Sequence, residues 1–154
     1  MSRIRKYRPD VRLRSLLNRP GGVSIEQALS EAARGIETLR AQCVGAVDAK
    51  IEEIAAAAID DTYCVPAVYA LADEIFVLAG TFGLSDVSRA AYSLCALLSS
   101  DEGARKAAAV HVHVDALRAL RNPVVASDSL AAAKVLDGLA NVTKRYAKDA
   151  ALGR

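Results

Sequence analysis

Apolar residues recur every three or four positions through most of the chain after residue 22, which is the period of α-helices with one buried face. Breaker and capping residues separate these stretches, and the connections between them are short. The pattern predicts five helices, which begin near Ser24, Pro66, Ser85, Asp101 and Asp128 or Ser129. Short connections favour antiparallel neighbours, so we expect an all-α fold: a four-helix bundle with an extended or extra N-terminal helix.

The first predicted helix is longer than the others. It opens at Ser24 with Gln27 three residues later, the spacing of a capping box, and its apolar period continues to about Ala58. At 1.5 Å per residue, such a helix would be roughly 50 Å long. It either bends, at Gly35 or Gly45, or packs its surplus apolar surface against a second copy of the chain. Its apolar stripe is formed by Ile25, Leu29, Ala32, Ile36, Leu39, Cys43, Val47, Ile51 and Ile54.

The composition fits one helical domain preceded by a basic tail. The chain has 154 residues, of which 53% are hydrophobic and 5% aromatic, and its net charge is +2. These values exclude a disordered chain and argue against a β-sheet fold. Residues 1–22 carry seven basic residues against one acidic residue, Asp10, and end in a Pro-Gly-Gly breaker. We therefore predict a basic flexible tail over 1–22 and a helical bundle domain over 23–150.

The tail has three interpretations that the sequence leaves open. It is a solvated segment that lies along the acidic body, a segment that contacts a nucleic acid or an anionic membrane, or an arm that binds a protein partner. No nucleic-acid-binding motif accompanies its charges, so we do not expect a nucleic-acid partner.

Cysteine usage and hydropathy predict where the protein is located. Cys43, Cys64 and Cys95 lie among apolar neighbours and form no CxxC pair. Such residues are typical of buried, reduced thiols, which predicts a cytoplasmic protein. No signal-peptide pattern is visible, and the most apolar stretch, Val65 to Leu84, contains Asp73 in a helical period. We interpret that stretch as a core helix and predict no membrane span.

The second predicted helix has apolar residues on two opposite faces. If Ile75 is at the centre of the inward face and each residue turns by about 100°, that face also contains Val68, Leu71, Ala72, Leu78, Ala79 and Phe82. An exposed apolar face opposite the core is often a docking site, although a neighbouring helix or a second subunit would also cover it. The predicted partner-binding surface consists of Tyr69, Asp73, Phe76, Val77 and Gly80.

The segment from Ala72 to Leu84, followed by Ser85 to Ala91, resembles the core of histidine phosphotransfer (Hpt) domains. In that family an exposed, phosphorylated His on a helix is followed by Leu, Lys and Gly, then by a small residue, Ala-Gly and a turn of Gly-Leu type. Gly80, Gly83 and Leu84 match these positions. The resemblance implies a four-helix bundle of the kind whose exposed His passes phosphoryl groups to and from receiver domains of bacterial two-component systems.

The residues that carry the chemistry of Hpt domains are replaced in this chain. Asp73 stands at the position of the phosphorylated His, Phe76 at that of the Lys, and Val77 at that of the Gly that opens access to the His. An Asp accepts a phosphoryl group with Mg²⁺ and a Lys partner of the receiver type, and neither is evident in this stretch. The resemblance implies a phosphotransfer-like domain without its acceptor, for which we expect no catalytic residue, metal or cofactor.

The two histidines, His111 and His113, lie on the fourth predicted helix. Their spacing places them about 200° apart, so they cannot both bind one metal from that helix. We expect His113 near the apolar side, and His111 near Asp115, four residues on, as a possible orienting pair. The sequence contains no paired catalytic carboxylates, no Gly-rich phosphate loop and no common hydrolase motif. We therefore do not expect an enzyme.

Together these patterns predict a cytoplasmic, non-catalytic Hpt-like signalling protein that docks a receiver domain or a histidine kinase of a bacterial two-component or chemotaxis pathway. Two alternatives stay open. One is a structural helical module that self-associates, as a homodimer, through its first helix. The other is an active histidine phosphotransferase that uses His111 or His113. The exposure of Asp73 and of the two histidines distinguishes best among the three.

Overall fold

The computed structural model describes residues 22–100 and 106–152. Both ranges are α-helical and contain no strand, so the prediction of an all-α fold is confirmed for these residues. The predicted basic tail and the predicted helix start near Asp101 lie outside the described residues. The helices are α1 (Ile25–Ala57), α2 (Val65–Thr81), α3 (Ser85–Leu98), α4 (Ala107–Arg121), α5 (Pro123–Ser127) and α6 (Ser129–Leu152).

The chain divides into two compact units, Met1–Thr38 and Leu39–Arg154. In the first unit, α1 begins as predicted, because Ser24 Oγ accepts a hydrogen bond of 3.1 Å from the backbone N–H of Gln27. The side-chain amide of Gln27 donates instead to Glu31, at 3.2 Å. Only half of the predicted capping box therefore forms.

α1 is one continuous helix of 33 residues, so neither Gly35 nor Gly45 interrupts it. The first part of its apolar stripe is exposed: Ile25, Leu29 and Ile36 have exposed fractions of 80, 66 and 55%. The described residues of the first unit form a single helix, which has no second apolar surface of its own to pack against. Further along α1 the stripe is buried at Cys43, Val47, Ile51 and Ile54.

The core of the second unit lies around α3, which packs against α2, α4 and α6. α2 buries Val68 and Ile75 as predicted. The apolar period of the third predicted helix puts six residues inward, and α3 buries all six: Val87, Ala90, Ala91, Leu94, Leu97 and Leu98. Leu71, Leu78 and Phe82 of α2 were also predicted to be buried, but they are only half-buried, because they lie at the edge of this core. Burial of each large apolar side chain contributes about 1.5–3 kcal/mol. The largest apolar side chains with full burial are Ile51, Ile54, Ile75, Leu94, Leu97, Leu117 and Leu139.

α2 ends in a left-handed turn at Gly83. Its φ is +80°, a value that residues with a Cβ rarely adopt. The backbone N–H of Leu84 donates to the carbonyl oxygen of Ala79 at 2.8 Å, which is the hydrogen bond of a Schellman-type helix end. This turn allows α3 to start at Ser85, as the sequence predicts.

Carboxylates fix the starts of two later helices. Asp61 Oδ1 accepts a hydrogen bond of 2.8 Å from the backbone N–H of Ala107, at the start of α4. Asp128 Oδ1 accepts one of 2.9 Å from the N–H of Leu130, as expected for the predicted cap of α6. The sequence pattern did not predict the short α5, which lies between α4 and α6.

Two ion pairs join α4 to the second part of α1. Arg118 Nε donates to Glu52 Oε1 at 2.9 Å, and Arg121 Nε donates to Asp48 Oδ1 at 2.7 Å. The hydrogen bond from Arg118 lowers the pKa of the Glu52 carboxyl. The two pairs place α1 and α4 side by side in the second unit.

Candidate functional site

The outward face of α2 carries the predicted partner-binding residues, and we refer to Tyr69, Asp73, Phe76, Val77 and Gly80 as the Asp73 surface. Asp73 is exposed, as predicted. Around its carboxylate, Val77, Tyr69 and Phe76 have exposed fractions of 54, 40 and 38%. α2 places them there because Val68, Ala72, Ile75 and Ala79 occupy its buried face.

Phe76 extends the Asp73 surface from α2 onto α3. Its ring lies beside that of Tyr92, with centroids 5.8 Å apart and planes tilted by 47°. This geometry is within the range of favourable aromatic pairs. Tyr92 is itself 64% exposed, so it belongs to the same apolar area. Sequence reasoning missed Tyr92. The helical period of α3 shows that Tyr92 is exposed, but it does not show which side chain of a neighbouring helix it contacts.

Gly80 performs a packing role at the edge of this surface. A Cβ built on Gly80 would lie 3.2 Å from Ser88 Oγ on α3. The Ser88 hydroxyl donates a hydrogen bond of 2.9 Å to the backbone carbonyl of Phe76. Because Gly80 has no side chain, α3 approaches α2 closely at this position.

The charges next to Asp73 are paired within the chain. Glu74, its neighbour, forms an ion pair with Lys50 of α1. Asp73 also acts on α3: burial raises the pKa of the Cys95 thiol to about 11, and the negative charge of Asp73 adds to that rise. Within residues 22–100 and 106–152, no group of three or more His, Cys, Asp or Glu side chains could hold a metal ion.

The cysteines differ in exposure. Cys43 and Cys95 are buried, as predicted, whereas Cys64 is exposed, so that prediction is wrong for Cys64. Cys64 is the N-cap residue of α2, so it precedes the helix and lies outside its buried face.

The two histidines occupy different environments on α4. His113 is fully buried on the apolar side, as predicted, and its Nδ1 lies 2.9 Å from the carbonyl oxygen of Ala109. Burial lowers the pKa of His113. His111 is half-buried. Asp115 is the residue predicted to orient His111, and its carboxylate accepts a hydrogen bond of 3.3 Å from Arg118.

No protein-family model, no curated protein and no solved structure matches the chain. Among the helices of residues 22–100 and 106–152, none has both the length and the apolar character needed to cross a membrane.

Proposed function

We propose that the chain is a non-catalytic, Hpt-like signalling protein that docks a receiver domain or a histidine kinase of a bacterial two-component or chemotaxis pathway. The observation that carries the proposal is the exposed apolar surface around Asp73 on α2. A carboxylate ringed by Tyr69, Phe76 and Val77 is unusual for a helix face that only meets water.

The finer architecture belongs to the same proposal. The second part of α1 together with α2, α3 and α4 forms the Hpt-like four-helix bundle, and α6 covers its α3–α4 side. The contacts of α3 with α2 and α4, and the ion pairs of α4 with α1, support this arrangement. The turn at Gly83 supports it as well, because it occupies the place of the glycine turn in the Hpt motif.

The replaced residues explain why such a domain would bind without accepting a phosphoryl group. The Asp73 carboxylate repels an incoming phosphoryl group, which is also negative, and the side chains of Phe76 and Val77 supply no cation to offset that repulsion. The same two side chains give a partner apolar area to bury, which is what anchors a protein interface.

Phosphotransfer assays and binding assays together test the proposal. The chain is incubated with a phosphorylated receiver domain and with an autophosphorylated histidine kinase from its own signalling gene cluster. We expect no acid-labile phosphate on the chain, together with saturable binding of one of these proteins. Acid-labile phosphate on His111 or His113 would favour the phosphotransferase alternative, and absence of any binding would contradict the docking function. Asp73→His alone should not create an acceptor, because Phe76 and Val77 still surround that position.

A second candidate of a different class is a structural helical module that self-associates through α1. The observation that favours it is the exposure of Ile25, Leu29 and Ile36, which recur at helical spacing on one face. Exposed apolar side chains in this register are the pattern by which helices pair. A second copy of the chain would bury them.

A further inference from the structure

A serine and a histidine meet beneath the surface, between α3 and α4. Ser93 Oγ lies 3.2 Å from His113 Nε2. On its other side, Ser93 Oγ lies 3.0 Å from Thr143 Oγ1 of α6. Sequence reasoning missed this cluster, because His113 and Thr143 lie 20 and 50 positions from Ser93 along the chain.

The surroundings of His113 determine where its proton is. The carbonyl oxygen of Ala109, 2.9 Å from Nδ1, can only accept a hydrogen bond, so Nδ1 carries the hydrogen. Burial lowers the pKa of the ring, which favours its neutral form. Nε2 then carries a lone pair, so the Ser93 hydroxyl is the donor in this contact. The Thr143 hydroxyl, which also lies 3.1 Å from the carbonyl oxygen of Leu139, is then the donor to Ser93. A hydroxyl that donates to a fixed imidazole is the arrangement of a nucleophile and its general base.

Ser93 also lines an open groove of about 420 Å³ between α2, α3 and α6. Apolar side chains, among them Phe76, Tyr92 and Leu136, form much of its wall. Arg89 is the charged residue that lines it. The groove has room for a small molecule with an apolar body, and its wall contains one serine that is paired with a histidine.

We infer that Ser93 is a nucleophilic site for covalent modification by small activated acyl esters, with His113 as the base that takes its proton. The Ser93 oxygen forms a bond to the ester carbonyl carbon, and His113 Nε2 takes the hydroxyl proton. The bond to the leaving oxygen then breaks, and the leaving group departs with the electron pair of that bond. His113 returns the proton to the leaving group or to water, which leaves an acyl-serine. The groove shares Phe76 with the Asp73 surface, but the acylation of Ser93 does not require the proposed docking function.

The test uses p-nitrophenyl acetate with the full-length protein and locates the acetyl group by peptide mass spectrometry. Ser88 is a built-in control, because it lines the same groove but donates its hydroxyl hydrogen bond to the Phe76 carbonyl. We expect acetyl on Ser93 and little on Ser88. We expect His113→Gln to slow acetylation of Ser93 by about 100-fold, the ordinary contribution of a general base.

Two outcomes would overturn the inference. One is equal acetylation of Ser93 and Ser88 in the wild-type protein, a comparison that stands even if the His113 variant does not fold. The other is an unchanged rate at Ser93 in a folded His113→Gln protein. Thr143→Val distinguishes a general disturbance of the cluster from the loss of the base. It removes the hydroxyl contact between Thr143 and Ser93 and leaves the pair of Ser93 and His113 in place. That variant should keep most of the acetylation.

Discussion

The rings of Phe76 and Tyr92 lie with their centroids 5.8 Å apart, so α2 and α3 share an aromatic contact at the edge of the Asp73 surface. Phe76 is 38% exposed and Tyr92 64%, and each covers part of the other. The pair thus serves the fold and the proposed docking surface together.

We predict that Phe76 and Tyr92 are energetically coupled. In a double-mutant cycle with Phe76→Ala and Tyr92→Ala, the free energies of unfolding should depart from additivity by about 0.5–1.5 kcal/mol. Urea denaturation of the four proteins measures this. The control cycle pairs Phe76→Ala with Tyr69→Ala, two residues about 10 Å apart along the same helix, and should be additive. Additivity in both cycles would show that the ring contact contributes nothing.

The turn after α2 offers a second prediction, on stability. Gly83→Ala should lower the free energy of unfolding by about 1–2 kcal/mol, because its φ of +80° places a Cβ against the following carbonyl. Gly138→Ala is the matched control. Gly138 lies within α6 and has nothing within 4 Å of an added Cβ, so alanine there should raise the free energy of unfolding by up to about 1 kcal/mol. Equal effects of the two substitutions would contradict the assignment of the turn.

His113 should make stability depend on pH in weak acid. Its pKa is lowered by burial, so the unfolded chain binds a proton as pH falls below about 6.5, while the folded chain does not. The free energy of unfolding therefore decreases as pH falls, by at most about 1.4 kcal/mol per pH unit, until pH reaches the folded-state pKa. Denaturation between pH 7 and 5 measures the slope. His113→Gln should flatten it, and an unchanged slope in His113→Gln would contradict the prediction.

The sequence predicts the helices well, and it predicts the burial of a residue well where that burial depends on the period of its own helix alone. Asp73 is exposed and Ile75 buried because the apolar period of α2 alone sets their directions. The inward face of α3 follows in the same way. Cys64 was misjudged because apolar neighbours in sequence do not show that a residue stands at a helix cap, outside the helix's buried face.

Contacts between helices could not be predicted from one sequence. The approach of Gly80 to Ser88, the pairing of Phe76 with Tyr92, and the contact of Ser93 with His113 all depend on the register between neighbouring helices. That register is set by packing of side chains distant in the chain, which periodicity does not contain. The short α5 was missed because five residues are too few to show a helical period.

The exposed stripe of α1 predicts self-association. Ile25, Leu29 and Ile36 should be buried between two copies, so the weight-average mass by light scattering should rise with concentration above that of one chain. Leu29→Glu with Ile36→Glu should abolish the rise, because each charge would have to be buried unpaired. Leu130→Glu, at a site 64% exposed on α6, is the control and should leave the rise unchanged. A wild-type protein with the mass of one chain at every concentration would contradict association.

The central claim is that the outward face of α2 binds a signalling partner, and Val77 tests it most directly. Isothermal titration calorimetry with the partner receiver or kinase domain compares the wild-type protein with Val77→Asp and Val124→Asp. Val124 is an equally simple side chain, 76% exposed on α5 and outside the Asp73 surface. Val77→Asp should weaken binding at least five- to tenfold, about 1 kcal/mol or more, since it places an unpaired charge in an apolar contact. Val124→Asp should leave the Kd unchanged. Equal Kd values for all three proteins would contradict the claim.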